Sequence, residues 1–424
     1  MSPPAMHTGE VTDVTCPFCG LLCDDLVVSV AGDRISVRAN GCGLASASYA
    51  AAGPAGQPRI SGRNASLTDA IAEAARLLAG ARQPLLAGLG TDVQGAREAA
   101  RLADRLGGVL DHMNSPAAIR NTMVLQDGGW IITTLSEIRN RADLLLVVGT
   151  DVVSRFPRFF ERCIANRETL FGADRECEVI YLGRAGTPGP SVPERKASVI
   201  PCDVARLHEG FGAMRALLAG RRLDAAEAAG RPIGDWQALA DRMKRAHYGV
   251  VAWAAADLDF PHAELTIQVL AELVKDLNRT TRFSGLPLGG SDGDVTADSV
   301  QLWQTGFGSR TSFGQGIPQH DPWQYSAAAL LQSGADVLLW ISSFSGTRTP
   351  PATAVPTIVL GHPAMRLDRD PAVFIPVGTP GVDHAGHLFR VDRVVTLPVA
   401  QLRDSTLPSV ADTLAAIHAA LPGG

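Results

Sequence analysis

The chain has 424 residues, of which 46% are apolar, and a formal net charge of −5. This predicts a folded protein of two or three domains, not a disordered one, and gives no reason to expect a nucleic-acid or acidic-membrane partner. No stretch approaches the roughly 18 apolar residues that cross a bilayer, and the first residues lack a signal peptide's basic end and apolar core. We therefore expect a cytoplasmic protein with no membrane partner.

Four of the seven cysteines lie close together near the N-terminus. Cys16, Cys19 and Cys23 fall within eight residues, and Cys42 follows after eighteen more. Thiolates are soft ligands that suit an iron–sulfur cluster or zinc. The runs LVVSV and RISVRA predict a β-hairpin around residues 31–33, which would return the fourth cysteine to the others. We predict one metal centre, iron–sulfur or zinc; the alternative is four unrelated buried thiols.

From residue 65 the pattern alternates between helices and strands. Thr68 is a plausible N-cap for a helix over TDAIAEAARLLAGA, and LLAGLG after Pro84 predicts a buried strand. Residues 92–106 predict another helix, which ends at Gly107-Gly108. Further apolar runs at 143–148, 179–183, 197–201 and 250–254, with helices between several of them, predict parallel sheets covered on both faces.

The sequence suggests three parts. Residues 1–60 form a β-rich cysteine module, 61–245 the first part of an α/β domain, and 246–424 a second α/β domain with the C-terminal segment. Residues 285–323 are rich in glycine and include Trp303 and Trp323, so we expect a long irregular region that lines a site or an interface. A last short helix is predicted at 408–420.

Two glycine-containing turns are candidate cofactor-binding sites. Gly88 and Gly90 follow a predicted strand and precede a helix, where backbone N–H groups can bind phosphate; tight packing is the alternative explanation. Gly149, Thr150 and Asp151 follow another strand, at the edge where α/β sheets place ligands.

Three arginines are spaced for one helix face. Arg155, Arg158 and Arg162 recur at intervals of three and four, which predicts a basic surface that is solvated or faces a partner's acids.

The sequence resembles the molybdopterin oxidoreductases in three separate segments. CPFCGLLCDDL is similar to their N-terminal cluster segment, TLSEIRNRADLLLVVGTD with SRFPRFFER to the middle segment of the formylmethanofuran dehydrogenase B subunit, and VFIPVGTPGVDHAGHLFRVD to the C-terminal segment of that protein. The resemblance implies the molybdopterin oxidoreductase fold without its final β-barrel domain. In that family, loops such as 149–151 hold pterin nucleotides.

One departure from the family bears directly on function. In the dehydrogenases, a Cys-His-Gly-Pro run supplies the cysteine that binds tungsten or molybdenum, whereas this chain reads His112-Met113-Asn114-Ser115-Pro116. Met113 and Asn114 take the cysteine and histidine places. A thioether replaces a thiolate poorly on a high-valent metal, and an amide cannot carry a proton near neutral pH. We therefore expect no catalytic residue here and no bound molybdopterin or tungstopterin.

The same departure is expected of the B subunit of the formyltransferase/hydrolase complex of methylotrophic bacteria, a second family that the chain resembles. This resemblance implies a structural subunit in one-carbon metabolism, with the A, C and D subunits as partners and a furan-type formyl carrier bound by the complex. Two alternatives remain. The chain would be an active tungsten or molybdenum formylmethanofuran dehydrogenase subunit, or an electron-transfer subunit that uses only the cysteine cluster.

Overall fold

The structure is a computed structural model that describes residues 9–51, 56–165, 176–183 and 197–423. Its strands, in chain order, are β1 Gly9–Val14, β2 Leu26–Ala31, β3 Arg34–Ala39, β4 Arg59–Ile60, β5 Arg63–Asn64, β6 Pro84–Gly90, β7 Val109–His112, β8 Leu144–Val148, β9 Glu178–Gly183, β10 Ser198–Pro201, β11 Glu227–Ala228, β12 Arg231–Pro232, β13 Gly249–Trp253, β14 Phe283–Pro287, β15 Thr311–Ser312, β16 Gln319–His320, β17 Val337–Ser342, β18 Thr357–Gly361, β19 Val373–Pro376, β20 Gly386–Phe389 and β21 Thr396–Val399. Its α-helices are α1 Gly43–Ala50, α2 Leu67–Ala79, α3 Val93–Leu106, α4 Ser115–Asp127, α5 Leu135–Arg141, α6 Val152–Arg155, α7 Phe159–Cys163, α8 Leu207–Leu218, α9 Ile233–Arg245, α10 Ala263–Leu277, α11 Asp294–Thr305, α12 Ala327–Ser333 and α13 Val410–Ala419.

The chain divides into two compact units. Unit 1 combines Met1–Ser115 with Gly290–Gly424, and unit 2 is Pro116–Gly289. The sequence predicts boundaries at 60/61 and 245/246, which differ from the boundaries of these units. Residues 1–8 and 52–55 of the predicted cysteine module lie outside the described part. A sequence pattern can only group consecutive segments into a domain. Unit 1 is instead assembled by strand pairing between distant parts of the chain, such as β6 with β17.

Unit 1 is built on a nine-stranded sheet in the order β16-β15-β7-β6-β17-β18-β19-β4-β5. Its five central strands, β7 to β19, are parallel, and the edge pairs are antiparallel. Alternate residues of β6 pack into different apolar clusters: Leu86 lies with residues of α2, α3 and α13, and Leu85 with Leu330 of α12. The sheet is therefore covered on both faces, as the continuous apolar strands predict.

Unit 2 contains a five-stranded sheet in the order β10-β9-β8-β13-β14, in which every neighbouring pair is parallel. Its core includes large, fully buried rings such as Trp236, Phe211 and Phe283. The prediction of an α/β protein with parallel sheets is confirmed. No helix in the described part of the chain is both long and apolar enough to cross a membrane.

Several local predictions are confirmed with small shifts. The predicted hairpin is β2–β3, in which Ala31 pairs with Arg34. Helix α2 begins earlier than expected because Ser66, not Thr68, is its N-cap and accepts a hydrogen bond from the Asp69 N–H at 3.0 Å. The helices predicted at 92–106 and 408–420 are α3 and α13.

Two local predictions are wrong. Residues 285–323 are not a continuous irregular region, because α11 occupies Asp294–Thr305 and ends at Gly306 in the left-handed conformation. The proposed basic helix face does not form either. The helix breaks at Phe156 and Pro157, so Arg155 ends α6 while Arg158 precedes α7 and is buried. Pro157 cannot continue the hydrogen-bond pattern of α6, which explains the break.

Candidate functional site

Three of the four clustered cysteines lie in the loop between β1 and β2. The Cys16 N–H donates to the Cys23 carbonyl at 2.8 Å, and the Leu22 N–H donates to the Cys19 carbonyl at 3.1 Å. Cys42 is the N-cap of α1, where its Sγ accepts a hydrogen bond from the Ala45 N–H at 3.5 Å. The predicted hairpin thus leads from the cysteine loop to a helix N-terminus that carries the fourth thiol.

Cys16, Cys19 and Cys23 are buried, Cys42 is half-buried, and the four side chains interact electrostatically. Burial raises the pKa of Cys16 well above its ordinary value, and nearby Cys19, Cys23 and Cys42 raise it further. Burial also raises the pKa of Cys19 to about 12, with additional contributions from Cys23 and Cys42. Buried thiols of this kind stay protonated near neutral pH unless a cation compensates their charge.

An unsatisfied hydroxyl lies beside this group. Tyr49 of α1 is buried, its ring contacts Phe18 edge-on at 4.9 Å, and its charge couples to Cys16. The Tyr49 hydroxyl has no hydrogen-bond partner among the described residues. Buried hydroxyls normally have one, so this hydroxyl is an unsatisfied hydrogen-bonding group that interacts electrostatically with Cys16.

The donor set therefore suits a thiolate-bound metal, but the side chains are not preassembled around one. In residues 9–51, 56–165, 176–183 and 197–423, no group of three or more His, Cys, Asp or Glu side chains has the geometry of a metal site. The metal centre at the four cysteines stays a prediction.

Met113 and Asn114 follow β7 and are held by contacts within unit 1. The Arg348 Nε lies 3.1 Å from the Met113 Sδ and 3.1 Å from an Asp292 carboxylate oxygen. The Arg348 Nη2 donates to the Asn114 Oδ1. We call Arg348, Met113, Asn114 and Asp292 the Arg348 cluster. Arg348 contacts both positions where the resemblance places a metal-binding cysteine and a histidine. Because a thioether and an amide stand there, these residues do not fit a bound tungsten or molybdenum.

The amide nitrogen of Asn114 is also fully engaged. It donates to the Ser291 carbonyl at 3.1 Å, to the Ser291 hydroxyl at 2.9 Å and to an Asp294 carboxylate oxygen at 3.1 Å. The Gly290 N–H donates to the other oxygen of Asp294 at 2.6 Å. The segment 290–294 is therefore folded around Asn114.

His112 is buried and cannot replace the missing histidine as a proton carrier. Its Nδ1 accepts from the Asn114 N–H at 3.0 Å, and its Nε2 lies 3.2 Å from the Asp292 carbonyl. This pattern fits the neutral ring with its proton on Nε2. Burial lowers the pKa of His112 to about 4, against smaller opposing effects of Asp292.

The turn at Gly88 and Gly90 is occupied by the chain itself. Gly88 has a φ of +81°, and a Cβ there would lie 2.5 Å from the Ile341 carbonyl oxygen. Asp92 is the N-cap of α3 and accepts from the Gly95 N–H at 3.0 Å, so a carboxylate of the chain caps this helix N-terminus. This geometry favours the packing alternative. Gly90 does lie beside the Arg348 cluster, since a Cβ there would be 3.1 Å from the Met113 Cε.

The second turn lies in unit 2. Asp151 is the N-cap of α6 and accepts from the Val153 N–H at 3.1 Å. The Thr150 hydroxyl donates to Asp257, which also receives the Arg155 Nε at 2.9 Å. Gly149 has a φ of +61° and packs against neighbouring side chains. The polar groups of this turn are thus bonded within unit 2, and binding of a pterin nucleotide here stays a prediction.

Sequence reasoning identified Met113 and Asn114 but missed the residues that hold them. Arg348 lies in the loop sequence SGTRTPP, which carries no motif, and Asp292 lies in the glycine-rich run GGSDGD. The positive φ of Asp292, +53°, fits such a run, since Asp tolerates the left-handed conformation. No sequence signal links the two.

Comparison with known proteins gives consistent relatives, although no family model matches the chain. The chain is 30% identical over 367 residues to the B subunit of the formyltransferase/hydrolase complex Fhc of Methylorubrum extorquens, in a match that covers 84% of this chain and 95% of the relative. It is 27% identical over 402 residues to the B subunit of the tungsten-containing formylmethanofuran dehydrogenase 2 of Methanocaldococcus jannaschii, covering 91% of this chain and 92% of that one.

A solved structure is similar as well. A chain of the crystal structure of the formyltransferase/hydrolase complex FhcABCD from Methylorubrum extorquens, in complex with methylofuran, matches with a TM-score of 0.71 and 29% identity. The match covers 85% of the present chain and 98% of that chain.

Proposed function

The chain belongs to the family of the formyltransferase/hydrolase complex B subunits, and from this premise we propose that it is a structural subunit of such a complex without a reaction of its own. In the proposed complex, a formyl group passes between a pterin and a furan-type carrier and is released as formate. This places the chain in the one-carbon metabolism of methylotrophic growth, where formaldehyde is oxidised to formate.

One observation carries the absence of catalysis. The two positions that would hold the metal and move a proton are Met113 and Asn114, and both are bonded to Arg348. Neither residue offers a thiolate or a group that titrates near neutral pH. The chain derives from a dehydrogenase subunit whose metal site it no longer has.

The proposed partners are the A, C and D subunits, and the furan-type carrier is bound by the complex as a whole. The related crystal structure is of the FhcABCD complex with methylofuran, which supports this assignment. Trp303 and Trp323 are 52% and 64% exposed, and such side chains are common at the centres of protein interfaces. We propose that both tryptophans contact the other subunits. We also propose that the complex is cytoplasmic.

We propose that the fold of the chain also derives from the dehydrogenase subunits. We infer a molybdopterin oxidoreductase-like fold that lacks the final barrel domain. The parallel sheet of unit 2, the parallel central strands of the sheet in unit 1 and the similarity to dehydrogenase subunits support this inference. In this interpretation, the turn at Gly149, Thr150 and Asp151 is the remnant of a pterin-nucleotide site whose polar groups now bond to the chain.

We further propose that Cys16, Cys19, Cys23 and Cys42 hold an iron–sulfur cluster or zinc that stabilises the fold. Metal analysis of the purified complex should find iron or zinc, and Cys16→Ser should remove it. Cys202→Ser is the matched control, because Cys202 is half-buried and outside the cluster. Equal metal content in both variants would contradict the assignment.

The alternative function is an active tungsten or molybdenum dehydrogenase, which the 27% identity to a tungsten-containing relative favours. Stoichiometric tungsten or molybdenum in the wild-type chain, with dye-linked oxidation of a formyl donor, would establish it. An electron-transfer role requires instead a visible absorption band that dithionite bleaches.

The test of the structural role is co-purification. When the chain is omitted from co-expression, we expect the remaining subunits to separate and the release of formate to be lost. Re-expression of the Met113→Leu variant should restore both, because the thioether takes part in no reaction. An intact and fully active complex without the chain would refute the structural role.

A further inference from the structure

We propose that Arg348 takes over, in this chain, the task of cross-linking the segments around Met113 and Asn114, where the related dehydrogenases place a metal ligand. The guanidinium supplies a positive charge that contacts residues in both segments, 112–114 and 290–294. This inference rests on the proposed function only in that the chain has replaced the metal-binding cysteine.

The contacts of Arg348 reach both segments. Its Nε faces the Met113 sulfur and the Asp292 carboxylate, each at 3.1 Å, and its Nη2 donates to the side-chain carbonyl of Asn114. A guanidinium is planar and always charged, and its fixed fork of donors suits several acceptors at once. A lysine ammonium has the charge but not the fork, so it cannot reproduce these contacts.

The acceptor side needs a cation. The Asp292 side chain is 16% exposed, and burial raises its pKa, whereas Arg348 lowers it. Asp294 is close enough to Asp292 to raise that pKa as well. Two carboxylates on one tight turn repel each other. Arg393 acts on Asp294, so removing Arg348 leaves Asp292 without the guanidinium that faces it.

The second segment depends on the same contacts through Asn114. Its side-chain nitrogen bonds to Ser291 and Asp294, while its side-chain oxygen bonds to Arg348. Arg348 therefore fixes the orientation of the amide, because a rotation by 180° would place the Asn114 nitrogen against the guanidinium. Without the guanidinium, we expect both segments to lose their fixed positions relative to each other.

The experiment measures amide hydrogen exchange in the assembled complex. With Arg348→Ala and Arg348→Lys, we expect the amides of residues 112–114 and 290–294 to exchange about tenfold faster than in the wild type. Arg59→Ala is the matched control: Arg59 is similarly exposed, 33% against 37%, and pairs with Asp370 at 3.7 Å in the same unit. It should leave both segments unchanged.

Asp292→Asn tests whether the ion pair between Arg348 and Asp292 is responsible for the effect of Arg348. If Arg348 and Asp292 act together, the double variant should exchange no faster than Arg348→Ala alone. Unchanged exchange in Arg348→Ala, or fully additive effects in the double variant, would overturn the proposal. The proposed function has a separate readout, because subunit co-purification and the metal content of the wild-type chain do not depend on these rates.

Discussion

Two neighbouring residues at the end of β7 are both driven towards their neutral forms. Burial lowers the pKa of His112 to about 4 and raises the pKa of Asp111 to about 6. Asp111 accepts from the Ala327 N–H at 2.7 Å, and its other oxygen lies 3.7 Å from the Arg310 Nε. The contributions of His112 and Asp111 to the free energy of unfolding change with pH in opposite directions. In the wild type, the pH dependence from one residue therefore largely offsets that from the other.

The His112 contribution is tested by His112→Asn. The pKa of His112 is lower in the folded chain than its ordinary 6.5, so the neutral ring contributes stability above pH 6.5 that is lost as the pH falls towards 4. Between pH 7 and pH 5 the loss is about 2 kcal/mol. Unfolding titrations should show the variant gaining about 2 kcal/mol relative to the wild type over this range.

Asp111→Asn should show the opposite trend. The pKa of Asp111 is raised in the folded chain, so its contribution is present at low pH and is lost as the pH rises through about 6. Lowering the pH from 7 to 5 should therefore cost the variant about 1 kcal/mol relative to the wild type. Parallel curves for wild type and variant would disprove the assigned pKa.

At the scale of elements, the junction of β6 and α3 depends on close backbone approach. Gly88 has a positive φ and faces the Ile341 carbonyl, and the Gly90 carbonyl accepts both the N–H and the hydroxyl of Ser343 at 2.8 Å. Asp92 then begins α3. The close approach of β6 to β17 gives both positions a packing reason for glycine, and cofactor binding at this turn stays a prediction.

Gly88→Ala tests this explanation. A Cβ would force an unfavourable backbone conformation and a 2.5 Å contact with the Ile341 carbonyl oxygen, so we expect a loss of about 3 kcal/mol in the free energy of unfolding. Gly234→Ala is the control, because no atom lies within 4 Å of a Cβ there and α9 gains a better helix former. Denaturant titrations that gave equal stability for the two variants would contradict the packing explanation.

Elements with strong local patterns were predictable from the sequence, whereas long-range arrangements were not. The runs LLAGLG, DLLLVV and VVAWA became β6, β8 and β13 because continuous apolar segments suit strands buried on both faces. Helix α11 was missed because the density of glycines around it outweighed its short apolar pattern. Arg348 lies 234 positions from Asn114, and only the folded sheet brings them together.

At the scale of the whole molecule, exposed tryptophan side chains are candidates for contact with the proposed partner subunits. Trp323 is 64% exposed, and Trp303 is 52% exposed, although its ring lies 5.9 Å from that of Phe389. Both belong to unit 1, in which Ile317 is also 61% exposed. Buried tryptophans at interfaces often contribute more than about 2 kcal/mol to binding.

Trp303→Ala and Trp323→Ala should therefore weaken assembly without unfolding the chain. We expect at least one of them to raise the dissociation constant for the remaining subunits by about tenfold or more, with its thermal stability nearly unchanged. Leu265→Ala is the control, since Leu265 is 52% exposed but lies in unit 2 and outside the segment 285–323. Wild-type affinity in both tryptophan variants would exclude these two side chains from the interface.

The discontinuity of unit 1 has a consequence for the order of events during synthesis. The strands β6 and β7 leave the ribosome early, but β17, the second neighbour of β6, follows only after the whole of unit 2. Unit 2 is continuous in sequence and can complete its five-stranded sheet while β6 still lacks β17. One edge of the apolar strand β6 thus stays unpaired during translation, so we expect the nascent chain to depend on chaperones until residue 342 has emerged.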